Sequence, residues 1–453
     1  MSKRLTFILA LVVLFSASSA IWAESNGATV IGPVNVVSMK DGSIAPNQAV
    51  VLRAGRIAQI SAYPEIDVSE SDVRVDGHDG YLIPGLSEMH AHIPSSGREQ
   101  YARDILMLYL ANGITLARGM LGEPWHLELR ELLATGAWEG PRLVTSGPSF
   151  NGRSVTSPRQ AAEMVRMQAD AGYDFLKLHP GLEPDEFSAL ATAAHEVPIP
   201  FAGHVSFAVG LNAALQAHQA TIDHLDGYAE ALIPPESSQY GVQPQWFGVN
   251  LASAMDPARA RDLALNTARA GVWNVPTQSL LENTAGARTL EEMLGRPCMA
   301  YVSDDLKRRW IARVEEMQSE VSLQDRRQFI EARRTLIGEL QDADAGLLLG
   351  SDAPQIMNVP GFSIHEELGF MVASGLSPLE ALQSGTLNVS RFLEEDDTGD
   401  VIAGYRADLV LLAADPLQDI GATRQILAVF RNGKVYTRPE LDRKLDQIRS
   451  RGL

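Results

Sequence analysis

The sequence predicts an α/β fold: a (β/α)8 TIM barrel with a small β-sandwich domain formed by both termini. Three observations lead there. Short apolar runs bounded by turn residues recur through the middle of the chain, and amphipathic stretches such as Ser157 to Ala171 and Asp185 to His195 lie between them. Strands that alternate with helices call for a parallel sheet, and eight of them suit a closed barrel better than an open one. Both ends of the chain are instead rich in hairpin-like text, and 453 residues leave room for a barrel of about 300 residues plus a smaller domain.

Taken in order, residues 1–23 read as a secretory signal peptide. Lys3 and Arg4 precede an apolar run from Leu5 to Phe15, and Ala20 or Ala23 suits the residue before cleavage. The run is short for a membrane span, although uncleaved anchoring is the alternative. The expected product is exported, periplasmic or secreted, with no stable membrane association after cleavage. Cys298 is the single cysteine, so no intrachain disulfide can form. A chain that is 45% hydrophobic can build a core without one. The formal net charge of −18 argues against a nucleic-acid partner, which needs clustered Lys and Arg. The expected partner is a small-molecule substrate, and a homo-oligomer stays open.

Residues 28–81 and 396–437 carry the small β domain. Ala49-Val-Val-Leu-Arg53 and Arg56-Ile-Ala-Gln-Ile60 flank Ala54-Gly55, a hairpin signal. Ala407-Asp-Leu-Val-Leu-Leu412 and Gln425-Ile-Leu-Ala-Val-Phe430 precede Asn432-Gly433, a pair suited to a tight hairpin turn. Residues 438–453 form a helical tail. Between these ends, 82–395 is the barrel. Its expected strands are Leu82 to Ile93, Ile114 to Arg118, Arg142 to Thr145, Phe175 to Leu178, Ile199 to Gly203, Thr221 to His224, Val272 to Pro276 and Ala345 to Gly350. The stretch from Leu280 to Ala343 exceeds a simple crossover and could cover the barrel mouth.

Chemistry-bearing residues gather at the carboxyl ends of these strands, where such barrels keep their active sites. Strand one ends in His90-Ala91-His92, whose imidazoles share a face because side chains alternate along a strand. Lys177 lies on strand four, His204 follows strand five, His224 ends strand six and Asp352 ends strand eight. Each has a plain alternative. Lys177 could sit in an ion pair, His204 or His224 could be a satisfied polar residue, and Asp352 could cap the next helix.

The ordered set His-x-His, Lys, His, His, Asp resembles the amidohydrolase superfamily, and the flanking text resembles its imidazolonepropionase-related branch, which includes Xaa-Pro dipeptidases. Pro84-Gly85, Asn112-Gly-Ile-Thr115, His365-Glu-Glu-Leu368, Gly404-Tyr-Arg-Ala-Asp-Leu409 and Asp415-Pro-Leu417 carry the resemblance further. It implies two divalent metal ions, with zinc the first expectation. His90, His92 and Asp352 would hold one and His204 and His224 the other. Lys177, N6-carboxylated, would bridge them. Buried lysines with a depressed pKa can react with carbon dioxide, and the carbamate is an anionic oxygen ligand. A single metal, with Lys177 left as an amine, is the competing form.

The implied activity is hydrolysis of an amide or peptide bond in a dipeptide or N-acyl amino acid by a metal-bridging hydroxide. Asp352 would act as general base and then acid. Tyr228 is placed to stabilise an oxyanion or else packs in its loop. Arg118 could pair with a substrate carboxylate or form a structural ion pair. His179 could line the pocket, and His365 could reach the site or merely pack. Other readings are a cyclic amidase, lactonase or deaminase on the same centre, and, in another class, a non-catalytic periplasmic binding protein.

Overall fold

The computed structural model describes residues 27–453 apart from 64, 67, 68 and 70, so the expected signal peptide lies outside the described residues. Four strands open the chain: β1 (Thr29–Val37), β2 (Ile44–Arg53), β3 (Arg56–Ala62) and β4 (Val73–Pro84). The middle supplies β5 (Leu86–Ala91), β6 (Ile114–Gly119), β7 (Arg142–Thr145), β8 (Leu176–Leu178), β9 (Phe201–Gly203), β10 (Thr221–Asp223) and β11 (Trp273–Val275). Near the end come β12 (Leu409–Leu412), β13 (Ile426–Arg431) and β14 (Lys434–Thr437).

Both termini contribute to one seven-stranded sheet, in the order β14-β13-β12-β4-β1-β2-β3. Its hairpins form where the turn chemistry asks for them. Ala54 and Gly55, and likewise Asn432 and Gly433, have positive φ at both turn positions, which matches the twist of two-residue hairpins. At the β3 edge, Arg56 bridges to Arg406 just upstream of β12. Ile31, Val34, Leu52, Leu82, Leu409 and Phe430 form a separate apolar cluster against this sheet. A second sheet stacked on it is not seen among the described residues.

The expected first strand is two elements. Leu82 to Pro84 pair with β12 in the terminal sheet, and β5 begins at Leu86. Gly85 is the joint. A Cβ there would come 2.1 Å from Thr115 Oγ1, so the chain passes β6 at a distance only glycine permits.

In the middle of the chain β5-β6-β7 and β8-β9-β10-β11 form two parallel sheets. Parallel bridges Ser146 to Phe175 and Phe150 to Leu178 join the β7 side to the β8 side. The eighth expected strand is an extended run with a single bridge, Asn274 to Leu347. It also meets β5: Met89 N donates to Leu349 O, Asp352 N to His90 O and His92 N to Ala353 O. Helices such as Pro158–Asp170 and Pro184–Glu196 follow the strands and bury their apolar faces in the main core. The stretch expected over the mouth folds mainly as helices Gln278–Thr284, Asp304–Glu320 and Leu323–Asp342. Helix Arg438–Arg451 closes the chain, with Leu441, Leu445 and Ile448 inward.

Candidate metal centre

His90 lies within β5 and His92 follows it by one residue. Lys177 is the central residue of β8, His204 follows β9, and His224 follows β10. Asp352 closes the extended run beside β5. His224 and Asp352 both have left-handed backbones, with φ of 61° and 63°. Such a conformation costs a non-glycine residue free energy and tends to collect at functional sites.

All six predicted residues meet. His92 Nε2 is 2.7 Å and His90 Nε2 3.5 Å from Asp352 Oδ1, and His224 Nδ1 is 3.9 Å from its other oxygen. The His90 and His224 rings are 4.5 Å apart between centroids, as are His204 and His224. His179 stacks on His204 at 5.0 Å. Ligand atoms of His90, His224 and Asp352 lie within 4.8 Å of one another. This trio crosses the division implied by the resemblance, which placed His224 with His204.

The donor set fits cations. Lys177 Nζ, His90 Nδ1, Asp223 Oδ2 and Asp352 Oδ1 are buried and have no hydrogen-bond partner among the described residues. His90 Nδ1 stands 3.1 Å from Asp223 Oδ2 without the alignment a hydrogen bond needs, and Lys177 Nζ, at 3.6 Å from the same oxygen, is too far for one. Buried polar atoms are ordinarily satisfied, so four orphans around one point mark a place for something else. Burial, then the Lys177 charge, pushes His90 well below the ordinary imidazole range, His204 to about 3 and His179 to about 2. These rings are therefore neutral and keep a lone pair to offer. Burial also lowers Lys177 against the pull of Asp223 and Asp352, which favours the reactive free amine. Gly203 leaves its chain room, since a Cβ there would come 2.9 Å from Lys177 Cδ.

A second ring of residues orients the first. Asp226 Oδ2 lies 2.7 Å from His204 Nδ1, and Thr277 Oγ1 2.8 Å from His224 Nδ1, which leaves Nε2 of both rings free. Burial raises Asp226 to about 7. Arg333, on helix Leu323–Asp342, donates to the carbonyls of His224 (2.7 Å) and Pro276 (2.8 Å) and to Gln278 Oε1 (2.9 Å). Glu367 accepts the N–H groups of Gln278 and Ser279, at the start of the helix beyond Thr277. Glu88 accepts from the backbone N–H of His90 and of Ser351, and burial pushes it up to about 8.

Three expected site residues are elsewhere. Tyr228 is buried with its hydroxyl on Thr267 Oγ1 (2.7 Å) and Asn274 Oδ1 (3.0 Å), so it has no free O–H for an oxyanion. Arg118 is buried and spent on Met89 O, Thr221 Oγ1 and Asp223, so it is a structural ion pair. His365 packs with Nδ1 3.0 Å from Thr423 Oγ1. His179, by contrast, lines the pocket.

Burial is the main cause that holds His365 down to about 3, against 6.5 in an unfolded chain. The folded state therefore binds its proton later than the unfolded state does. Stability from this neutral ring is fully present above pH 6.5 and is lost as pH falls toward 3. A His365→Asn variant should lose less of its urea midpoint than the parent between pH 6.5 and 4. Parallel losses in the two proteins would remove His365 from the acid response.

Above the centre lies a cavity of about 270 Å³. His92, His179, His204, His224 and Asp352 form one part of its wall. Trp246, Phe247, Val249, Leu280, Met317, Ile356 and Arg313 form most of the rest; Leu280, Arg313 and Met317 come from the stretch expected over the mouth, and the others lie outside it. Phe247 stands 5.3 Å from the His224 ring.

Residues 81–436 match the amidohydrolase family. An imidazolonepropionase from Anaeromyxobacter dehalogenans is 24% identical over 426 residues, covering 88% of this chain and 92% of that protein. An adenine deaminase from Lysinibacillus sphaericus is 35% identical over 71 residues, which is 16% of this chain and only 11% of that protein's length. A solved Xaa-Pro dipeptidase with bound methionine in its active site superposes with a TM-score of 0.67 at 19% identity, over 91% of this chain and 100% of the other. A bottromycin amidohydrolase gives 0.72 at 22%, over 94% and 90%. The matched span and the histidine, lysine and aspartate set it contains agree: the chain belongs to the amidohydrolase family.

Proposed function

We propose that this hydrolase is an exported enzyme that cleaves an amide or peptide bond in a small substrate, a dipeptide or an N-acyl amino acid, at a two-metal centre. The observation that carries the reading is the convergence of six buried or half-buried ligand-type side chains around orphaned polar atoms beneath one small cavity. In this reading the two parallel sheets and the Leu347 run close into a (β/α)8 barrel over 82–395, and 28–81 with 396–437 form the small sandwich domain. The inter-sheet bridges and the β5 hydrogen bonds support the first, and the seven-stranded sheet shared by both ends supports only that the second is built from both termini.

His90, His92, Asp352, His204 and His224 would hold the ions, with Lys177 carboxylated between them. Divalent ions there would supply Lewis acidity and a water of lowered pKa. The chain's own residues do the rest. Asp352 sits beside His92 Nε2 at the floor of the cavity, where it can take a proton from the attacking water and return it to the departing nitrogen. Arg333, Thr277 and Asp226 fix the backbone and ring orientation of His224 and His204 before substrate arrives, which lowers the cost of reaching the reactive geometry. Among the described residues no helix is long and apolar enough to cross a membrane.

The test is a screen of the purified protein against dipeptides and N-acyl amino acids, before and after chelation and with divalent ions restored. Hydrolysis that disappears on chelation and returns with metal is expected. Release of ammonia from an aminated ring, with no amide cleavage, would move the reading to a deaminase.

A further inference from the structure

The cavity over the centre has a wall of apolar side chains and, among the described residues that line it, one Lys or Arg, the half-exposed Arg313. Arg313 stands on helix Asp304–Glu320. Its guanidinium lies 4.0 Å over the Trp246 ring, whose indole N–H donates to Glu320 Oε2 at 2.6 Å. Stacking of this kind holds a guanidinium flat and leaves its N–H edge to work. Among the described residues Nη1 alone is engaged, in a half-exposed ion pair with Glu316, and the Nε–Nη2 edge is left without a partner. Arg118, the other guanidinium considered for a substrate carboxylate, is consumed in the interior.

We propose that Arg313 binds the free carboxylate of the substrate's leaving group, and that Leu280, Met317 and Ile356 receive a bulky apolar side chain. The substrate class is then an N-acyl or N-aminoacyl derivative of an apolar amino acid. A planar guanidinium recognises a carboxylate through paired N–H donors, so removal of the anion should matter more than removal of any other polar group. The apolar wall lies on the same cavity as Asp352, so one small molecule can touch Arg313, the wall and the reacting centre. This inference rests on the amide-hydrolase reading above.

The experiment compares apolar dipeptides and N-acyl amino acids with their C-terminal N-methylamides in the parent, Arg313→Gln and Arg313→Lys. For free carboxylates, Arg313→Gln should raise KM about tenfold, equivalent to about 1.4 kcal/mol, with kcat nearly unchanged. The methylamides should be poor substrates of the parent and indifferent to the substitution. Arg313→Lys keeps the charge without the fork and should fall between. Equal KM changes for acid and methylamide would overturn the role of Arg313 and leave the amide-hydrolase reading standing. No turnover of either series by the metal-loaded parent would overturn that reading itself.

Discussion

Asp352→Asn is expected to lower kcat by about 10²–10⁴-fold, the range typical for loss of a positioned general acid or base. Asparagine matches aspartate in shape, so the left-handed turn at Asp352 and its N–H bond to His90 O should persist. What disappears is the anion that lies 2.7 Å from His92 Nε2 and within reach of His90 and His224. Asparagine can neither take the proton from water nor offer two anionic oxygens to a cation. Turnover and metal content in parallel separate the two losses. Full metal content with collapsed kcat assigns Asp352 to proton transfer. A variant with parental kcat would remove it from the chemistry.

Arg333→Met should be the costliest single change away from the centre. The guanidinium is buried, and three oxygens depend on it: the carbonyls of His224 and Pro276 and the amide of Gln278. Methionine fills much of the volume but satisfies none of them. Each stranded acceptor loses its hydrogen bond, and Glu367 loses a nearby cation. The expected loss is about 3–5 kcal/mol in urea unfolding. Because His224 holds a strained backbone at φ 61°, the variant should also lose metal retention before it unfolds. A urea midpoint and metal content equal to the parent's would show that Arg333 is dispensable.

Much of the centre was legible because strand ends are local. His90-Ala91-His92 needs only alternation along one strand, and Lys177, His204, His224 and Asp352 each close or occupy a short apolar run. Asp223 was not legible for the same reason. Beside His224 in a regular strand it should face away, yet β10 stops at Asp223 and the chain turns left-handed, so both neighbours reach the interior. Tyr228 fails in the opposite sense. The turn through His224, Leu225 and Gly227 starts a short helix that carries its hydroxyl to Thr267 and Asn274. Arg333 lies 109 positions from the carbonyl it holds, and no local pattern announces such a contact. Arg313 was hidden in the same way. A charged residue on an amphipathic helix looks like solvated surface until the fold sets it beside Trp246.

The most direct test of the central claim is metal content per chain in the purified parent and in Lys177→Ala. Lys177 is buried, without a hydrogen-bond partner among the described residues, and 3.6 Å from Asp223. The proposed centre predicts about two divalent ions in the parent, as in other paired-metal hydrolase sites, and a sharp fall in the variant. One ion per chain, retained when Lys177 is removed, would contradict the bridged pair and leave a mononuclear centre in its place.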